Sequence, residues 1–173
     1  MSGQFSELDE ARECRAKDPY RALELANSYI RSNPDDAHGY FSRHNTLRRL
    51  KRFEESLADC SRSLALDPKC STYLCRGEVL RAMGDHARAL VDFNQAHDMD
   101  RDTWLHSFGP HLRSDTLARL GRLDEALEDT KLIREDHWMP EHDGLPGGNK
   151  AQFIAEIKRR AAAAGLPPTR SNS

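Results

Sequence analysis

Gly84-Asp85-His86-Ala87-Arg88-Ala89-Leu90 is one copy of a phrase that returns as Lys51-Arg52-Phe53-Glu54-Glu55-Ser56-Leu57 and as Gly121-Arg122-Leu123-Asp124-Glu125-Ala126-Leu127. Lys17-Asp18-Pro19-Tyr20-Arg21-Ala22-Leu23 fits the same frame. The small residues at its heart are Ala22, Ser56, Ala89 and Ala126, separated by 34, 33 and 37 residues. A period of that size marks a solenoid whose unit is one pair of helices. The apolar positions agree. Leu47, Leu50, Phe53, Leu57, Cys60 and Leu64 recur at spacings of three, four and seven, the helical period, and the alternation a strand requires is absent. Small residues at Ala89 and Ala96 let two antiparallel helices come close, while Tyr73, Leu80 and Phe93 fill the space between them. One such pair cannot bury its apolar face alone, so neighbouring pairs must stack.

The units resemble the tetratricopeptide repeat. The third reads Tyr73, Gly77, Leu80, Gly84-Asp85, Ala89, Phe93 and Ala96; the second reads Tyr40, Leu47, Phe53, Ser56, Cys60, Ser63 and Asp67-Pro68; the first closes with Asn33-Pro34. Three positions depart from the pattern: His44 stands where that family has Gly, Arg101 where it has a closing Pro, and Pro110 near the head of the fourth unit. The resemblance spans about residues 3–137 and implies an all-α fold, a right-handed superhelix of three to four antiparallel helix pairs with a C-terminal capping helix. The units are expected at about 3–36, 37–69, 70–102 and 107–137.

Turn residues punctuate this array. Gly84 and Gly121 supply the bend between helices, and Pro34 and Pro68 follow helix ends because the residue before a proline is driven out of the α region. The extra residues of the longest interval lie in Arg101–Pro110, where Gly109-Pro110 should delay or kink the next helix. Residues 138–148 read as a loop by their Pro and Gly content. Asn149 with Gln152 resembles a capping box, opening a helix over 149–165. Phe153, Ile154, Ile157 and Ala161 would form its apolar stripe and cover the end of the solenoid, and residues 166–173 read as a frayed tail.

Composition excludes several functions. Twenty-six basic and 28 acidic residues leave a net charge of −2 over 173 residues, so no bulk field favours nucleic acid or an anionic membrane. The N-terminal residues lack the basic and apolar regions of a signal peptide, and no run approaches the roughly 20 apolar residues of a membrane helix. A cytoplasmic protein is expected, with Cys14, Cys60, Cys70 and Cys75 as thiols. His106 and His111, like His137 and His142, are five apart, one residue longer than the spacing that puts two metal ligands on one helical face. Gly147-Gly148-Asn149-Lys150 lacks the remaining residues of a phosphate loop. Cys60 sits in the slot that Phe93 and Thr130 fill in neighbouring units, a packing slot. No catalytic residue, metal or cofactor is therefore expected.

The resemblance implies that the first helix of each pair lines a concave surface where a partner peptide lies. That places Glu7, Ala11 and Arg15, then Phe41, Asn45, Arg48 and Arg49, then Leu74, Glu78 and Arg81, then His111, Asp115 and Arg119 on that face. Arg15, Arg48, Arg49, Arg81 and Arg119 near the helix ends would form a basic stripe beside Phe41 and Leu74, suited to an acidic segment or chain terminus because guanidinium pairs with carboxylate bidentately. Arginine at a helix C-terminus also simply complements the helix dipole. The clamp some tetratricopeptide co-chaperones use for a terminal carboxylate is not matched: its positions fall on Glu7, Ala11, Ser42, Ser71 and Cys75. Secretion chaperones built from three such units share the size and repeat class. The expectation is a non-catalytic scaffold for another protein or peptide, with homo-oligomer formation through Trp104, Phe108 and Trp138, or a secretion-type chaperone, as alternatives.

Overall fold

The computed structural model describes residues 7–136, 138–139, 144–145 and 147–164. Helices α1 (Glu7–Cys14), α2 (Pro19–Ser32), α3 (Ala37–Arg49), α4 (Phe53–Leu66), α5 (Cys70–Ala82), α6 (His86–Met99), α7 (Arg101–His106), α8 (Gly109–Arg119), α9 (Leu123–Thr130) and α10 (Lys150–Ala163) follow in order. Among the described residues, none of these is long and apolar enough to cross a membrane. The chain divides into two compact units, Met1–Val79 and Leu80–Ser173.

Local chemistry accounts for the helix starts. Asp18, Asp36, Asp85 and Asp100 each accept a backbone N–H from the first turn of the following helix, satisfying a donor that the helix itself cannot. Arg52 and Arg122 hold the corresponding place before α4 and α9 without a side-chain cap. Each instead grips a first-turn carboxylate bidentately, Arg52 on Glu55 and Arg122 on Glu125. The bend before these helices needs a left-handed residue: Gly84 has φ 84° and Gly121 φ 80°, and in the second repeat Lys51 takes it at φ 57°.

In the first unit α1 packs on α2, α2 on α3 and α3 on α4. Ala22 and Ser56 are wholly buried where the paired helices meet, with Leu25, Ala26, Leu47 and Leu64 around them. In the second unit α8 packs on α9 and on α6, with Ala89, Ala126, Phe93 and Leu112 inside. Helix α10 covers α8 and α9, burying Phe153, Ile157 and Ala161. Its start is the expected capping box, with the Asn149 side chain accepting from Gln152 N and the Gln152 side chain from Asn149 N. Ile154 is only partly buried.

Two features differ from the sequence expectation. Trp138–Met139 and Gly148–Asn149 form a two-residue antiparallel ladder within the expected loop, a pairing too short to leave alternation in the sequence. The insertion before α8 is the helix α7, and its Trp104 is fully buried. Below that indole lies Gly109, where an added Cβ would come within 2.5 Å of the ring. The histidine pair His137 and His142 and the tail 166–173 lie outside the described residues.

Candidate functional site

An arginine in the first helix of a pair meets an aspartate 16 residues later in the second. Arg43 holds Asp59 through two bonds of 2.7 and 2.6 Å and reaches back to Asn27 at 2.9 Å. Arg113 repeats this with Asp129 at 2.7 and 2.7 Å and Asn94 at 3.3 Å. Arg76 and Asp92 stand in the same register in the sequence. Each guanidinium also lies over a ring: Arg43 over Tyr40 at 5.8 Å, Arg76 over Tyr73 at 5.7 Å, Arg113 over Trp104 at 4.6 Å. In the fourth repeat Pro110 occupies the aromatic position, and α7 supplies the missing ring. These buried pairs are structural: the aspartates are nearly inaccessible, and an unpaired charge there would be costly. The signal was present as a recurring Arg–Asp spacing, but a search for small and aromatic residues passes over it.

In the first unit, Arg15 donates to Thr46 Oγ1 at 3.3 Å and to Ser42 Oγ at 3.4 Å, tying the end of α1 to α3. Burial lowers its pKa. Arg48 pairs with Glu78 at 3.4 Å. Arg49 is exposed and donates to the Ala16 carbonyl at 2.9 Å. Asn45 donates to the Phe41 carbonyl at 2.8 Å, and the partly buried Phe41 ring lies 5.7 Å from that of His44. Leu74 is buried, which removes it from the apolar patch expected beside the arginines.

In the second unit Arg81 is also buried, its side chain 3% exposed and 3.1 Å from Asp115. It is a packing charge and not a contact surface. Asp115, itself wholly buried, accepts from Arg119 Nε at 3.0 Å and from Arg160 at 2.5 Å as well. Arg160 and Arg159 share Glu156, which holds that carboxyl down at a pKa of about 2. The first unit holds Arg15, Arg48 and Arg49 with Glu78; the second gathers Arg81, Arg119 and Arg160 on Asp115.

A cysteine and a histidine do meet. Cys60 Sγ lies 3.0 Å from His44 Nδ1, both wholly buried. Ser56 Oγ is 2.8 Å from the same nitrogen and donates its proton to the His44 carbonyl at 3.2 Å, so it must accept from Nδ1–H. This assigns the tautomer from the network and leaves Nδ1 unable to take a proton from the thiol. Burial, then Arg48 and Arg15, push the His44 pKa down to about 3. Burial raises the Cys75 thiol to about 12. Neither arrangement makes a thiolate nucleophile. His106 is exposed and bonds the Asp102 carbonyl, whereas His111 packs its ring 5.2 Å from Phe153. Among the described residues no three His, Cys, Asp or Glu side chains converge as a metal would need. Lys150, beside the glycines at the start of α10, pairs with Glu135.

No protein-family model matches the chain. It is similar to the human SGT1 homolog, 31% identical over 94 residues that make up 54% of this chain and 26% of that protein; the match thus spans about a quarter of that relative. Among solved structures, it resembles YrrB, a TPR protein with an unusual peptide-binding site, at a TM-score of 0.67 and 19% identity, covering 91% of this chain and 79% of that one. It also resembles TTC0263, a TPR protein of Thermus thermophilus, at a TM-score of 0.62 and 20% identity, covering 93% and 80%. The chain has the tetratricopeptide-repeat fold.

Proposed function

We propose that this tetratricopeptide-fold chain is a non-catalytic scaffold that holds a segment of another protein against its first helices, and that the segment is acidic. The observation that carries the reading is that arginines at the ends of these helices, Arg15, Arg48 and Arg49 in the first unit and Arg119 in the second, are held in place by neighbouring acceptors while keeping part of their surface open. Guanidinium groups fixed in this way lose little side-chain entropy when a carboxylate arrives. The inaccessible Cys60 and His44 support a non-catalytic role. The likeness to YrrB, a TPR protein with an unusual peptide-binding site, points the same way.

The test is selection of random peptides on the immobilised full chain. Selected peptides should be rich in Asp and Glu, bind more weakly as salt rises, and lose about tenfold in affinity to Arg49→Glu, since an exposed charge reversal replaces attraction by repulsion. A selection that yields no binder, or yields neutral binders indifferent to this change, overturns the reading. Self-association is the second reading. Trp104 is buried and drops out of it, while Trp138 is 67% and Phe108 38% exposed; a concentration-independent monomer in sedimentation would end it.

A further inference from the structure

Where the start of α6, the end of α8 and the end of α10 meet, a recess of about 370 Å³ is lined by His86, Arg119, Arg159, Arg160, Ala163 and Ala164. That lies within the range of small-ligand sites, roughly 300–1,000 Å³. Among the described residues, no carboxylate lines it. We propose that this recess is a carboxylate-binding subsite that anchors an acidic segment of a partner protein. It rests on the scaffold reading for the nature of the partner, and on the second unit alone for the chemistry.

Three features build the site. The first is unequal charge. Asp115 lies wholly buried behind the wall and serves Arg119 and Arg160 together with Arg81; Glu156 serves Arg159 and Arg160. Two carboxylates thus hold the three guanidinium groups on the wall.

The second is donors left over and fixed in place. Arg119 reaches Asp115 through Nε, and its two terminal nitrogens make no hydrogen bond among the described residues. Arg160 is pinned by Glu156, Asp115 and the Gly144 carbonyl at 2.9 Å. A ligand therefore meets a preset fork, the geometry that favours bidentate carboxylate binding.

The third is His86. Its Nδ1 is buried without a hydrogen-bond partner among the described residues. The charged groups acting on it are Arg119, Asp115, Arg81 and Asp85, and burial with the neighbouring arginines keeps it neutral. An anion in the recess reverses that balance and draws a proton onto the imidazole. The two alanines complete a small wall, and among the described residues no Phe, Tyr or Trp lines it.

Three fluorescein-labelled Gly/Ser peptides of equal length test the proposal on the full chain by anisotropy. One carries central glutamates and an amidated end, one carries only a free terminal carboxylate, and the third is amidated with glutamine in place of glutamate. Binding of the first above the third assigns side-chain carboxylates; binding of the second above the third assigns a chain terminus. Either supports the subsite if it weakens about tenfold in both Arg159→Glu and Arg119→Gln and if saturation raises the pKa of His86 read by its ring NMR signals. Arg159 is 69% exposed and, among the described residues, bound only to Glu156, so its exchange leaves the core intact. Equal binding of all three probes overturns the proposal, as does binding indifferent to both substitutions. Peptides selected on the whole protein that bind both variants normally would sink the subsite and spare the scaffold reading. A glutamate probe lost in the variants when no selected peptide binds would do the reverse.

Discussion

At the scale of the residue, the array depends on single positions where backbone or volume leaves one solution. Lys51 takes the left-handed turn that Gly84 and Gly121 take in other repeats, at φ 57°, which costs a residue with a Cβ about 1 kcal/mol or more. Lys51→Gly should therefore raise stability by about 0.5–1 kcal/mol, the conformational relief exceeding the entropy lost with glycine; chemical denaturation checks it, and a less stable variant would refute the assignment of strain. Gly109 presents the opposite constraint. An added Cβ would meet Nε1 and two carbons of the buried Trp104 ring at 2.5 to 2.7 Å, and the indole cannot retreat because Arg113 lies over its face and His97 against it at 4.9 Å. Gly109→Ala should cost about 2 kcal/mol by overpacking. An unchanged unfolding midpoint would show that the Trp104 pocket is looser than it looks.

At the scale of the element, what was legible is what repeats. The four small positions lie 34, 33 and 37 residues apart, and all four are wholly buried, because a close helix contact admits only a small side chain and therefore leaves a periodic mark. The cap of α10 was legible because Asn149 and Gln152 are close in sequence and satisfy each other locally. Exposure along the first helices was not. Leu74 and Arg81 look like surface positions by register, yet Arg81 is buried by Asp115, 34 residues away, and nothing local announces that partner. Nor does anything local announce that α7 exists to place Trp104 under Arg113. The α10 cap offers a direct check on element packing. Phe153 is 2% exposed and lies against His111 at 5.2 Å, so Phe153→Ala should cost about 3 kcal/mol or more and expose the apolar ends of α8 and α9. Increased dye binding with concentration-dependent association should accompany it; a variant that remains equally stable and monomeric would show that α10 is dispensable.

At the scale of the molecule, the buried polar groups make stability a function of pH with a sign that can be worked out. His44 titrates at about 3 when folded against 6.5 as an ordinary imidazole. Below about 6.5 the unfolded chain takes up a proton that the folded chain refuses, so this contribution is complete above 6.5 and is lost as pH falls towards 3. His86 is shifted the same way by burial. Glu156 is held at about 2 by Arg159 and Arg160 against an ordinary 4.5, so its contribution is present above 4.5 and disappears as pH falls from there towards 2. All three act in one direction in adjoining windows. Stability should therefore hold at neutral pH and fall on acidification, first gently and then more steeply below pH 4.5. For His44 alone the slope approaches about 1.4 kcal/mol per pH unit once the unfolded imidazole is fully protonated. Urea unfolding at a series of pH values measures the curve, and His44→Ser isolates its main term, since Ser114 fills the corresponding place in the fourth repeat and donates to the Ala126 carbonyl at 2.8 Å. The variant should lose the share of His44 in the slope that the parent shows between pH 6.5 and 5. If parent and variant fall in parallel through that window, His44 is not held neutral in the folded protein, and the acid sensitivity belongs to other groups.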